Sequence, residues 1–194
     1  MGSDRQKNVG TKIGYLLILF LTAEVILLTY QNRELKQELK NLVAATQPME
    51  SLKPGERVEP FNVKTLDGGL SEVRYADPAK KYLLLVLSTT CPHCAKTLPV
   101  WDVIARNRPN NADVLGISVH DVDHTKKYVE ESKINFYVVS VDTSFYRKYK
   151  ISGVPETILV SGDGTVEKSW IGELTADQST EIQNLMGASK TLTN

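Results

Sequence analysis

Apolar residues run almost unbroken from Ile13 to Tyr30, just long enough to cross a bilayer as a helix rising about 1.5 Å per residue. The pattern then turns periodic. Leu28, Leu35 and Leu42 recur at heptad spacing with Leu39 between them, so Gln31 to Ala45 reads as a helix continuing out of the span. So short a stripe does not hold a dimer by itself, and a stalk that packs on its own domain or frays is preferred to a coiled coil. Pro48 and Pro54 then mark 47–55 as a linker.

Beyond the linker the periods alternate between strand and helix. Val58 to Leu66 and Leu70 to Tyr75 flank Asp67-Gly68-Gly69 and predict a leading hairpin. Tyr82 to Leu87 is a continuous apolar run of strand length, the pattern of a central strand covered on both faces. A helix follows from Pro92 to Asn107, with Leu98, Trp101, Val103 and Ile104 on its apolar face and Pro99 interrupting it. Further strands are predicted at Val114 to Val119 and Tyr137 to Val141, with helices at Thr125 to Ser132 and Asp142 to Tyr149. Ile158 to Val160 and Val166 to Ile171 flank Gly162-Asp163-Gly164 as a hairpin, and Thr175 to Met186 closes as a helix capped by Thr175. The order βαβαβαββα after the leading hairpin predicts an α/β sheet with an antiparallel edge and helices on both faces.

These elements divide the chain into a tail at 1–12, a transmembrane signal anchor at 13–30, a helical stalk and linker at 31–54, and one globular domain at 55–194. A cleavable signal peptide fits less well, because the small pair Ala44-Ala45 lies far beyond the apolar run. Glu24 interrupts that run; it is read either as a neutral or snorkelling carboxyl or as an intramembrane contact. Arg5, Lys7 and Lys12 before the span match Arg33, Lys36 and Lys40 after it, so counting positive charges leaves orientation tied. A short tail ahead of a large domain favours the domain lying on the extracytoplasmic side. With 194 residues, 23 basic and 23 acidic side chains and no basic cluster, nothing marks a nucleic-acid partner.

The chain has two cysteines, Cys91 and Cys94, placed where the apolar strand gives way to the helix. Dithiol exchange needs an attacking thiolate and a second thiol close enough to resolve the mixed disulfide. Cys91 would face the unpaired amides and positive end of the helix, with Cys94 one turn inside. Pro92 suits the first helical position, and His93 adds positive charge or a donor beside the thiolate, which favours the reduced form.

Other chemistries fit less well. A structural zinc site lacks a second cysteine pair. His120 and His124, flanking Asp121 and Asp123, are better read as a solvated turn capping the next helix than as metal ligands. Ser88 and Cys91 loosely match a peroxidatic motif, but Leu84 stands where that motif wants proline. A metal-handling assembly factor that uses the thiols as ligands is a second functional class.

A second signature, Gly153-Val154-Pro155-Glu156-Thr157, directly precedes the strand at Ile158. Together with Cys91-Pro92-His93-Cys94 and Pro99 it resembles the thioredoxin superfamily. The leading hairpin, the anchor and the G-V-P-E-T segment are similar to its TlpA/ResA/DsbE group, and the stretch from Ser88 to Pro99 also resembles MauD-like proteins. The resemblance implies a thioredoxin-like fold, a cis Pro155 packed with Val154 against the cysteines, and no cofactor. It further implies a membrane-anchored reductant of disulfides in cell-envelope proteins, apocytochromes c among them, recharged by a DsbD/CcdA-like membrane electron carrier.

Three positions depart from that pattern. Leu85 stands where thioredoxin buries an acid, Thr90 where a tryptophan precedes the first cysteine, and Thr97 where ResA-like proteins carry glutamate. Glu156 is the candidate replacement proton acceptor, with an exposed strand-edge glutamate of no role as the competing reading. The tetrapeptide itself is that of DsbA-type oxidases, and thioredoxin and DsbA differ by about 150 mV. The direction of electron flow, reductase or oxidase, is therefore left open by the sequence.

Overall fold

The computed structural model describes residues 17, 18, 20–33, 36 and 51–187. The chain divides into two units, Met1–Pro48 and Met49–Asn194. In the first, residues 20–33 are helical, and apolar side chains such as Phe20, Val25, Ile26 and Leu28 are exposed. Among the described residues no helix is long and apolar enough to cross a membrane. The expected span at 13–30 falls partly outside the described residues; the tail at 1–12 and most of the stalk, with Leu35, Leu39 and Leu42, fall wholly outside them.

The second unit is a seven-stranded mixed sheet in the order β2-β1-β5-β4-β3-β6-β7. Its strands are β1 (Phe61–Thr65), β2 (Leu70–Val73), β3 (Lys81–Leu87), β4 (Ala112–Ser118), β5 (Tyr137–Ser140), β6 (Glu156–Ser161) and β7 (Val166–Ile171). Helices α1 (Pro92–Arg106), α2 (Val122–Glu131), α3 (Ser144–Lys148) and α4 (Ala176–Gly187) complete it. The predicted alternation of elements is the observed one, with the sheet antiparallel at both ends rather than one. β3, β4 and β5 are parallel, while β1 joins β5 and β6 joins β3 in antiparallel register.

β3 is central because it has an apolar side chain to give to each face. Leu83, Leu85 and Leu87 pack with Cys94, Leu98, Trp101 and Ile104 of α1 and with Ile182 and Met186 of α4. Leu84 and Val86 point the other way, toward Phe61, Ile158, Val160, Phe145 of α3 and Tyr149 just after it. Lys81 opens the strand almost buried, and its ammonium is met by Glu167 Oε2 at 3.0 Å and Leu185 O at 2.6 Å. A charge in such a place survives only when paired and hydrogen-bonded.

Two boundaries differ from expectation. The strand expected from Val58 begins only at Phe61, because Val58 N–H donates to Gly164 O and lays this stretch along the β6–β7 turn, ahead of Pro60. Packing also begins before residue 55: Leu52 is buried in the second cluster, and Gly55 N–H donates to Val166 O.

Candidate active site

The site sits where β3 ends and α1 begins. Cys91 is the N-cap of α1, extended at φ −89° and ψ 116°, and Pro92 takes the first turn where no amide is missed. No side chain caps this end and no acidic residue lies in the first turn, so the positive end of the helix dipole is left to the sulfur. Pro99 lies about two turns further in, inside the unbroken helix.

Both cysteines are free thiols, Cys91 half-buried and Cys94 fully so. Cys91 Sγ donates to Val154 O at 3.5 Å. Burial pushes the Cys94 thiol up to about 12, opposed by the Ser88 backbone N–H and reinforced by Cys91. Leu85, in place of an acid, packs in the same cluster as Cys94. The division of labour expected from sequence thus has a physical basis: one sulfur is reachable and the other is protonated and enclosed.

The Val154–Pro155 bond is cis. Pro155 is buried, and its carbonyl accepts from Gly172 N–H at 2.8 Å, which ties the loop before β6 to the end of β7. Val154, half-buried, packs against both clusters. Of the expected site residues, Cys91, Cys94 and Val154 are therefore brought together, and Pro155 directly follows Val154 in the chain.

Glu156 is not the exposed strand-edge residue of the competing reading. It is fully buried, and burial pushes its carboxyl up to about 7, with Ser169 Oγ and the Ser152 backbone pulling it down. Oε1 accepts from Ser169 Oγ at 2.8 Å, while Oε2 has no hydrogen-bond partner. These partners are not the cysteines. By strand alternation Glu156 points with Ile158 and Val160, whereas Thr157 and Leu159 face the side of α1. Its hydrogen bond thus runs to Ser169 rather than to a sulfur, while its charge, like those of both cysteines, is felt at Tyr146.

His93 is exposed, with Nδ1 2.7 Å from Glu173 Oε1, and Lys96 Nζ lies 3.4 Å from the same oxygen. The hydrogen bond from His93, then Lys96, holds the Glu173 carboxyl below its usual range. Glu173 follows β7 and carried no signal in the sequence, since eighty positions separate it from His93. Ser88, which loosely matches a peroxidatic motif, has its Oγ 3.0 Å from His120 Nε2 and 3.2 Å from Thr90 Oγ1. Tyr146, also missed, has its hydroxyl pushed up to about 12, first by burial and then by the charges of Cys94, Glu156 and Cys91.

The His120 to His124 turn is a helix cap. Asp121 Oδ1 accepts from His124 N–H at 2.9 Å, and Oδ2 lies 2.6 Å from His124 Nδ1. Among the described residues no group of three or more His, Cys, Asp or Glu side chains is arranged to hold a metal ion.

A sheet of this order with a C-x-x-C pair at the start of α1 and a cis proline directly before β6 defines a thioredoxin-like protein. The chain belongs to the AhpC/TSA family, whose pattern matches residues 54–169. It is 30% identical over 116 residues to the methylamine utilization protein MauD of Methylobacillus flagellatus, covering 58% of this chain and 55% of that protein. It therefore spans about half the length of that relative. The sporulation thiol-disulfide oxidoreductase A of Bacillus subtilis is 25% identical over 128 residues, 62% of this chain and 76% of that protein. Among solved structures, a putative thiol:disulfide interchange protein DsbE from Chlorobium tepidum superposes with a TM-score of 0.59 at 18% identity, over 71% of this chain and all of that one.

Proposed function

We propose that this chain is a thiol-disulfide oxidoreductase that exchanges electron pairs with a protein disulfide through Cys91. The observation that carries this reading is the pairing of a half-exposed Cys91 Sγ at an uncapped helix N-terminus with a buried Cys94 one turn inside. The Cys91 thiolate attacks one sulfur of the partner disulfide, and the other leaves as a thiolate. Cys94 then loses its proton and attacks Cys91 Sγ, releasing the second partner sulfur. The partner gains two electrons, and Cys91–Cys94 becomes a disulfide.

The substrate side of the site is Cys91, Val154 and Pro155, with Pro92 and His93 shaping it. Resemblance to anchored reductants supports the reducing direction, with extracytoplasmic proteins under assembly, such as apocytochromes c, as partners and a DsbD/CcdA-like carrier restoring the dithiol. The apolar run 13–30, within which 20–30 are helical with exposed apolar side chains, supports a single-pass anchor with the domain on the extracytoplasmic face. The alternative in the same chemistry is a DsbA-like oxidase or isomerase, favoured by Pro92-His93; a MauD-like maturation factor is the other alternative.

The Cys94→Ser chain cannot resolve its mixed disulfides, so it should accumulate a Cys91-linked partner in envelope extracts. Failure to trap any partner, with Cys91 shown to be reactive, would reject the proposal. Stoichiometric copper or zinc after anaerobic purification would point instead to thiols used as ligands.

A further inference from the structure

Glu173 reaches back to His93, one of the two residues between the cysteines. Its carboxylate, held ionised by its neighbours, can only accept, so the proton in the 2.7 Å contact belongs to His93 Nδ1. Cys91 Sγ makes its hydrogen bond elsewhere, to Val154 O. One of the two imidazole nitrogens that could steady a thiolate, Nδ1, is therefore committed to an acid from another element. Lys96, two residues beyond Cys94 on the same helix, is drawn to that acid as well at 3.4 Å.

We propose that Glu173 is a positioning residue that restrains His93 and moves the Cys91–Cys94 couple toward the reducing side. The inference rests on the thiol-exchange reading given above. A positive group or donor beside the attacking sulfur stabilises the thiolate, and with it the reduced form, making the couple more oxidising. Any positive charge that His93 brings toward the sulfur is offset by the Glu173 carboxylate. A Cys-Pro-His-Cys centre thereby comes to sit in a domain whose resemblance is to reductants. The acid and the histidine are both exposed to solvent, which limits the effect.

The test is equilibration of the full chain in glutathione redox buffers, with the dithiol fraction read by alkylation and mass. Glu173→Ala should shift the equilibrium constant about three- to tenfold toward the dithiol, tenfold being about 30 mV for two electrons. It should also lower the pH at which Cys91 becomes reactive to iodoacetamide, while leaving the urea midpoint in place. In a His93→Ala background the same substitution should change the constant by less than about twofold. A wild-type chain that shows no two-electron transition overturns the thiol reading, and this inference with it. A normal wild-type transition with Glu173→Ala unshifted, shifted toward the disulfide, or equally effective without His93 overturns this inference alone.

Discussion

Trp101 donates its indole N–H to Thr157 Oγ1 across 3.0 Å, and both side chains are fully buried. The bond pins α1, which carries Cys94, to β6 just after Pro155. Thr157→Val keeps the volume and removes the acceptor, leaving a buried donor unpaired. A loss of about 1–3 kcal/mol is expected, read as a lower urea midpoint with an unchanged slope. A loss near zero would mean that packing alone sets this contact.

The two thiols should differ sharply toward alkylating agents. With its pKa near 12, Cys94 at pH 7.5 carries fewer than about one thiolate in ten thousand, and its sulfur is enclosed. Iodoacetamide added to the reduced native chain should label Cys91 alone, with Cys94 following only on unfolding, as peptide mass mapping would report. Equal labelling of both in the native state would contradict the roles assigned to them.

Glu156 should make stability fall as pH rises. Its folded value is about 7 against an ordinary 4.5, so between those limits the folded chain keeps a proton that the unfolded chain has released. The contribution is whole below about pH 4.5 and lost as pH passes through about 7, amounting at most to about 3 kcal/mol. Glu156→Gln keeps the acceptor for Ser169 and carries no charge. Relative to wild type it should gain stability from pH 5 to about pH 7 and level off above that in urea titrations, the difference cancelling other carboxylates. A pH-independent difference would show that Glu156 titrates normally.

Gly162 lies in the β6–β7 turn beneath the segment leading into β3. A Cβ there would fall 1.7 Å from Asp77 O and 2.8 Å from Lys80 O, both backbone atoms that have no side-chain freedom to yield. Gly162→Ala should therefore cost at least about 2 kcal/mol, seen as a lower melting temperature. Unaltered melting would mean that the Asp77–Lys80 turn moves aside freely.

Much of this fold was legible because the deciding information is local. β3 was expected at Tyr82–Leu87 and found at Lys81–Leu87, its run of apolar residues admitting no amphipathic alternative. Thr175 caps the last helix as expected: Gln178 N–H donates to Thr175 Oγ1, and Thr175 N–H donates back to Gln178 Oε1. The cysteines were legible for the same reason, since strand end, proline and helix start are consecutive. What escaped was set by tertiary contact. Which face Glu156 takes depends on the register of β6 against Val86, and one residue of slip would reverse it. Glu173 meets His93 only because β7 returns beside Pro155 through Gly172.

The enclosure of Cys94 has a consequence for traffic through the site. A sulfur that no visitor can touch leaves Cys91 as the single doorway, for whoever delivers an electron pair and for whoever collects it. The two partners must then take turns, each leaving before the other docks, so an excess of either should slow the cycle by occupying the door.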